Sequence, residues 1–453
     1  ALLGAGAVKL FVGIGLGGLG VFLTWKLLTR VLHRGGAGGP PLEENAAVGI
    51  LHASALLSLG ILRDAGPSRV GSNEYNSLFN RDQLRIEAEA TAGSRDTWGQ
   101  QFAASGLHER LGFSVEQLHY ETDGFGDNNR AERDIYGGFL QFQSNPGTSL
   151  QLDLRHSEFL LGFTFYPYDE FLILPVEVDE EADRVRLNGR HVTSPSSDWV
   201  WTVGYENRQR DAIFPELSLL ITRTDAKTYT AEVQHLARLG DMQLISGLGY
   251  IDADEDFPIE LNEIDTYNVN AYVYAQARAT DRLTLIGGVS LDVFEQEYSA
   301  FDDSIERTQI SPKVGVVWTP TKSTTVRAAA FTSVRRPFIA SQTLEPTLVG
   351  GFNQFFTGLE TFYGDPEGTI SRRVGGAIEE RFTDQLFAGA EWSVRRLEVP
   401  FLAFSGQKDF SWREKAGRAY LYRTFALSEQ SRWDVTLSAA AEYEELMRPQ
   451  ILT

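Results

Sequence analysis

The densest chemistry in this 453-residue chain is acidic. Val176–Asp183 reads VEVDEEAD, Ile251–Asp265 reads IDADEDFPIELNEID, and Phe294–Glu306 reads FEQEYSAFDDSIE. Carboxylates at this density supply the hard oxygen ligands that calcium takes. None of the three follows the EF-hand order, which needs glycine at the sharp turn and glutamate at the twelfth position. A solvated, self-repelling loop surface accounts for such runs, and no metal ligand is assigned. On a bacterial surface the same carboxylates would also bridge to lipopolysaccharide through divalent cations. The seven histidines, His33, His52, His108, His119, His156, His191 and His235, show no metal-ligand spacing. His156 and Ser157 are adjacent on a strand pattern, so their side chains point to opposite faces. That geometry defeats a nucleophile–base pair. Gly13–Gly18 (GIGLGG) lacks the preceding strand and following acidic residue of a dinucleotide loop. The expectation is a chain that is not an enzyme, with no catalytic residue and no cofactor.

What must position these residues is a rhythm of period two. In Tyr267–Arg278 (YNVNAYVYAQAR) every odd position is apolar, and the even positions hold Asn, Asn, Tyr, Tyr, Gln and Arg. Such alternation makes a strand with one apolar face and one polar face. Further strands are Leu150–Arg155, Trp199–Tyr205, Tyr229–Gln234, Leu283–Val293, Leu386–Val394 and Trp433–Tyr443. Turn chemistry marks tight connections at Asn145–Gly147, Ser194–Asp198, Leu239–Asp241, Thr280–Asp281, Thr319–Lys322, Thr383–Asp384 and Ser428–Ser431. Between them lie stretches that read as long loops: 160–182, 208–225, 253–265, 295–308, 334–371 and 396–416. Short turns on one rim and long loops on the other predict a transmembrane antiparallel β-barrel of about 16–18 strands.

Composition narrows the classes. A net charge of -20 argues against nucleic acid, whose phosphates call for clustered Lys and Arg. With no cysteine there is no disulfide or thiolate chemistry. A mean hydropathy of -0.21 suits a barrel, because only alternate residues face lipid. Trp199 and Trp433 follow tight turns and Trp318 precedes one, the places for a membrane-interface girdle. Arg155, Arg278, Arg282, Arg327 and Arg395 fall on inward strand faces, where lumen charges tune pore selectivity.

Residues 1–65 form a separate apolar, glycine-rich segment, helical or plug-like, ahead of a barrel over 66–453. Leu10–Trp25 is a run of 16 uncharged residues between Lys9 and Lys26 with five glycines, shorter than the ~20 apolar residues of a spanning helix. It reads as a segment packed against protein, a contact for other envelope subunits. Val48–Leu62 reads as a short helix. The chain ends at Pro449–Thr453 in what reads as the start of a loop. The barrel is therefore expected to be incomplete at its C-terminus, or closed by a partner, since an open edge in lipid is costly.

Several strings carry a family resemblance. They are Ala65–Arg69 (AGPSR), Asn73–Asp82 (NEYNSLFNRD), His119–Phe125 (HYETDGF), Asn128–Asn129, Asp134–Tyr136 (DIY) and Gln342–Phe356 (QTLEPTLVGGFNQFF). Together they resemble the outer-membrane barrels that follow tetratricopeptide repeats and are grouped with TonB-dependent receptors. The resemblance covers about residues 64–448. It implies an outer-membrane channel or transport protein, of export or porin-like type, or else a structural component of an outer-membrane complex. Residues 1–65 show no tetratricopeptide pattern, no plug-sized domain and no TonB box.

Overall fold

A computed structural model describes residues 8–11, 83–124, 128–163, 175–215, 219–259, 261–300, 303–337, 343–355, 365–403, 406–426 and 434–448. Strand β1 is Val8–Phe11. There follow β2 (Gln83–Ala92), β3 (Trp98–His108), β4 (Leu111–Thr122), β5 (Ala131–Asn145), β6 (Thr148–Phe163) and β7 (Val176–Ser194). Next come β8 (Ser197–Phe214), β9 (Leu219–Leu239), β10 (Met242–Phe257), β11 (Asn262–Thr280), β12 (Leu283–Tyr298), β13 (Asp303–Trp318) and β14 (Thr324–Val334). A two-residue pair, β15 (Leu348–Val349) and β16 (Phe352–Asn353), precedes β17 (Ile370–Thr383), β18 (Leu386–Ala403), β19 (Gly406–Ala426) and β20 (Asp434–Met447).

Seventeen long strands and the short β1 make one 18-stranded antiparallel sheet, a barrel wall in which each long strand from β2 onward pairs with the next wall strand in sequence. Strand β14 pairs with β17, because β15 and β16 pair with each other off the wall. Strand β1 lies against β20, with Val8 opposite Tyr443.

The faces are inverted relative to a soluble sheet. On β11, Tyr267 and Val273 stand outward, while Asn268, Asn270, Tyr272 and Tyr274 are buried inward. On β12 and β13, Leu291 and Ile310 are exposed outward and Ser290, Asp292, Ser311 and Lys313 are buried inward. Apolar out and polar in is the pattern that lipid selects for a barrel. The turns follow local chemistry. Gly147 N–H donates to Asn145 Oδ1 (2.9 Å), and Gly240 takes a positive φ of 64° at the β9–β10 turn.

Four of the six expected long loops, 208–225, 253–265, 295–308 and 396–416, are mostly strand, and the described ends of 160–182 are strand as well. Their described residues, with 160–163 and 176–182, extend β6 to β13, β18 and β19 upward. The three acidic runs therefore lie largely on β7, on β10 and β11, and on β12 and β13. The physical reason is that a hairpin rising above the lipid meets water outside, so its outer face carries charge without leaving the ladder. Among the described residues of these segments, those of 335–369 stand off the wall. The predicted Val48–Leu62 helix, most of Leu10–Trp25, Trp433 and the Ser428–Ser431 turn lie outside the described residues.

Candidate functional site

The described residues of the connection between β14 and β17 turn inward and lie along the lumenal wall. Its described parts, 335–337, 343–355 and 365–369, form a strap bound to the barrel interior. The hairpin of β15 and β16 turns at Gly350 and Gly351, with φ of 55° and 83°. Positive φ at both central residues is the requirement of a tight two-residue turn. A Cβ on Gly350 would lie 2.5 Å from Ala328 O, so the strap touches the wall at backbone distance. A Cβ on Gly375 of β17 would enter the Phe352 ring, which fills that gap. Val349 and Phe352 join Tyr272, Tyr274, Ala329, Phe331 and Ala377 in a buried cluster.

Around this apolar contact runs a polar network. Glu232 of β9 accepts from Leu344 N–H (2.7 Å), Thr343 hydroxyl (3.0 Å) and Tyr272 hydroxyl (2.7 Å). Gln234 donates to Leu344 O. Glu345 accepts from Tyr274 hydroxyl (2.5 Å) and pairs with Arg336, which also holds Asp292 (2.8 Å). Burial opposes ionisation of Glu345. Arg336, Lys313 and the Tyr274 hydroxyl outweigh it and hold the carboxyl below its ordinary value.

The far end of the strap is latched by carboxylates. Arg395 on β18, 3% exposed, pairs with Asp365 of the strap and with Glu414 of β19 (2.5 Å). Burial pushes Asp365 up to about 6, aided by Glu414 and opposed by Arg395. Glu367 accepts from Gln296 of β12 (2.9 Å). Burial, then Glu255, push Glu367 up to about 7 against the pull of Arg335 and Arg208. The strap thus binds wall strands from β9 to β18, and its charge reaches Arg208 on β8.

The arginines singled out from sequence have different fates. Arg155 faces inward opposite Arg184 of β7. Arg327 faces inward, donating to Gly351 O (3.0 Å) and Glu379 (2.7 Å). Arg395 faces inward but is consumed by the latch. Arg278 has inward parity yet sits exposed at the short-turn end of β11, where its N–H donates to Asp241 O (2.9 Å). Arg282 is corrected: it lies in the β11–β12 turn rather than on a strand, and its guanidinium donates to Pro320 O (3.0 Å). The reason is that the Thr280 hydroxyl accepts from Arg282 N–H (3.2 Å) and closes the turn there.

On the outside, Trp199 and Trp318 are exposed at the short-turn ends of β8 and β13. His191 and His235 flank Trp199 in register, and His235 stacks on it (4.5 Å between centroids). Ser197 hydroxyl and His235 Nε2 are 2.9 Å apart, a proximity that the sequence does not reveal. Among the described residues no carboxylate bonds to the other imidazole nitrogen, so no nucleophilic triad is assembled. Nearer the opposite rim, His119, Glu132 and Asp134 come together, as do His156, Glu181 and Asp183, with ligand atoms within 4.8 Å of one another. Linear spacing missed both groups because each is drawn from neighbouring strands. His156 Nδ1 and Asp183 Oδ1 are 2.9 Å apart. Both groups lie on the outward face, at partly exposed positions where charged clusters are commonly solvated.

Among curated proteins, no sequence matches this chain. In three dimensions it is similar to the copper transporter OprC, with a TM-score of 0.58 at 14% identity, over 81% of this chain and 64% of that one. It is similar also to the FrpB iron transporter of Neisseria meningitidis (0.56, 11%, covering 82% and 63%). The alcaligin outer-membrane receptor FauA of Bordetella pertussis matches at 0.51 and 11%, covering 81% and 77%. The chain therefore spans less than two thirds of the length of OprC and of FrpB. The family described as TonB dependent receptor-like, beta-barrel matches residues 35–399. A match over that much of the sequence, on a sheet with polar side chains within and apolar ones without, makes this chain a member of the TonB dependent receptor-like β-barrel family.

Proposed function

We propose that this chain is the barrel of an outer-membrane transport protein, and that solute passes through its polar lumen beside the strap. The single observation that carries this reading is the strap itself. It lines one side of a polar lumen and is held by side chains rather than by the sheet ladder. The inverted faces and the outward Trp199 and Trp318 support placement in the outer membrane, with lipid and lipopolysaccharide as surroundings. Arg155 and Arg327 are the inward cations best placed to bias ion selectivity. The motif string Gln342–Phe356 supports a finer affiliation with barrels fused to tetratricopeptide repeats. The complete gene product tests that affiliation: an upstream repeat region is expected.

Planar-bilayer recordings test transport. Purified protein should give small conductance steps that grow when Arg395→Ala frees the strap, and Arg155→Glu should shift the reversal potential toward cations. Absence of steps in every variant would sink the channel reading. A second reading, a structural component of an envelope complex, rests on the depth of the Arg395 latch, which suits a permanently filled barrel. Pull-down from native membranes without any conductance would favour it.

A further inference from the structure

The outer wall is not evenly padded. On β10 and β11 two small lipid-facing residues are set diagonally, Ser246 between His235 and Val273 and Ala271 between Leu248 and Leu291. Around them lies an apolar trough of about 570 Å³. Leu248, Val273, Leu291 and Ile310 stand beside it, all exposed. One end carries the stacked pair Trp199–His235, the imidazole of which meets the Ser197 hydroxyl.

We infer that this trough binds one acyl chain of a glycerophospholipid in the periplasmic leaflet. The inference rests on the outer-membrane placement proposed above and goes beyond the transport reading, since it concerns the other side of the wall. Three observations point to this occupant. The trough is continuous with the exposed apolar band, so the medium facing it is hydrocarbon. A concavity in that medium forfeits dispersion contacts unless a chain lies in it. Its polar end is an indole and an imidazole at the short-turn rim, the height at which amphipathic rings meet headgroups and esters. Short turns face the periplasm in outer-membrane barrels, and the leaflet on that side holds phospholipid rather than lipopolysaccharide. The chain would run upward over Ser246 and Ala271, with its ester carbonyl beside His235.

Native mass spectrometry of the chain taken from nanodiscs of palmitoyl-oleoyl phosphatidylethanolamine tests this. The wild type should retain one phospholipid after detergent exchange. Ala271→Trp and the milder Ser246→Leu fill the trough and should lower retention about tenfold, a difference of ~1.4 kcal/mol. Ala277→Trp, which adds the same bulk on β11 outside the trough, should retain lipid, and His235→Ala should weaken retention less than Ala271→Trp. Equal retention in the wild type and both filled variants overturns the inference, as does no retained lipid in the wild type. Selective retention of lipopolysaccharide, or a trough-dependent dimer without lipid, also overturns it. A chain that stays folded and dispersed without detergent defeats the membrane placement instead.

Discussion

Arg372 and Arg395 sit on neighbouring strands and live in different worlds. Arg372, on the outer face of β17, is half-exposed and pairs with Glu398 at 2.6 Å. Arg395, on the inner face of β18, is 3% exposed between Asp365 and Glu414. The same contrast holds between the strap network and the outer histidine–carboxylate groups around His119 and His156. In each setting a nitrogen base meets carboxylates at hydrogen-bonding distance. What differs is the dielectric and the number of further hydrogen bonds. An exposed ion pair contributes about 0–1 kcal/mol. Removing one partner of a buried pair costs about 3–5 kcal/mol, because the other charge is left buried and uncompensated. Position on the sheet, rather than pairing itself, decides which charges matter.

The strongest way to break this contrast is Arg395→Ala. It strands Asp365 and Glu414 and should cost about 3–5 kcal/mol in urea unfolding followed by circular dichroism in detergent. A loss under about 1 kcal/mol would place the latch among the surface pairs. Combining Arg395→Met with Asp365→Asn and Glu414→Gln should recover most of the loss, because no charge is then left without a partner. Next in size is Gly350→Val, which forces a branched side chain into positive φ and against Ala328 O. A loss of about 1–3 kcal/mol is expected in the same unfolding measurement, and an unchanged midpoint would mean that the strap does not touch the wall there.

A third test uses pH. The pKa of Glu367 is raised to about 7 from an ordinary 4.5, so the folded state binds its proton more tightly than the unfolded state. Its contribution to anchoring is complete below the ordinary value and is lost as pH rises through about 7. Glu255 repels the charge that then forms, and Arg208 and Arg335 only partly offset it. Hydrogen exchange at Gly368, whose N–H donates to Arg335 O (2.9 Å), should lose protection severalfold from about pH 5 to about pH 8 after correction for intrinsic rates. Glu367→Gln should flatten that dependence, and an unaltered pH profile would remove Glu367 from the anchor. The smallest effect belongs to the outer face. Arg372→Ala and His156→Ala should each change stability by less than about 1 kcal/mol. A larger loss from either would show that the outer face is as deeply coupled as the strap.

The barrel was legible in the chain because period two survives any tertiary arrangement. Tyr267–Arg278 alternates in sequence and alternates between lipid and lumen in space. Loops were over-read for an equally local reason. Charge-rich stretches such as VEVDEEAD look solvated, and they are, but a hairpin above the membrane is solvated without ceasing to be a strand. The strap was visible only as a long segment outside the ladder and as the string QTLEPTLVGGFNQFF, with nothing local to say where it would lie.

Alternation and turn residues by themselves determined the wall, its inside and its outside, since each depends on residues two to four apart. The third dimension alone decided which inward groups meet. Gln234 reaches Leu344 across 110 positions, and Arg307 reaches Asp409 across 102. It also decided that Arg395 is a latch, that His156 lies beside Asp183, and that Ser246 and Ala271 leave a trough between larger neighbours. Those outcomes depend on how a rolled sheet brings distant strands to one height, and period two sets the face of a residue but not its height or its neighbour.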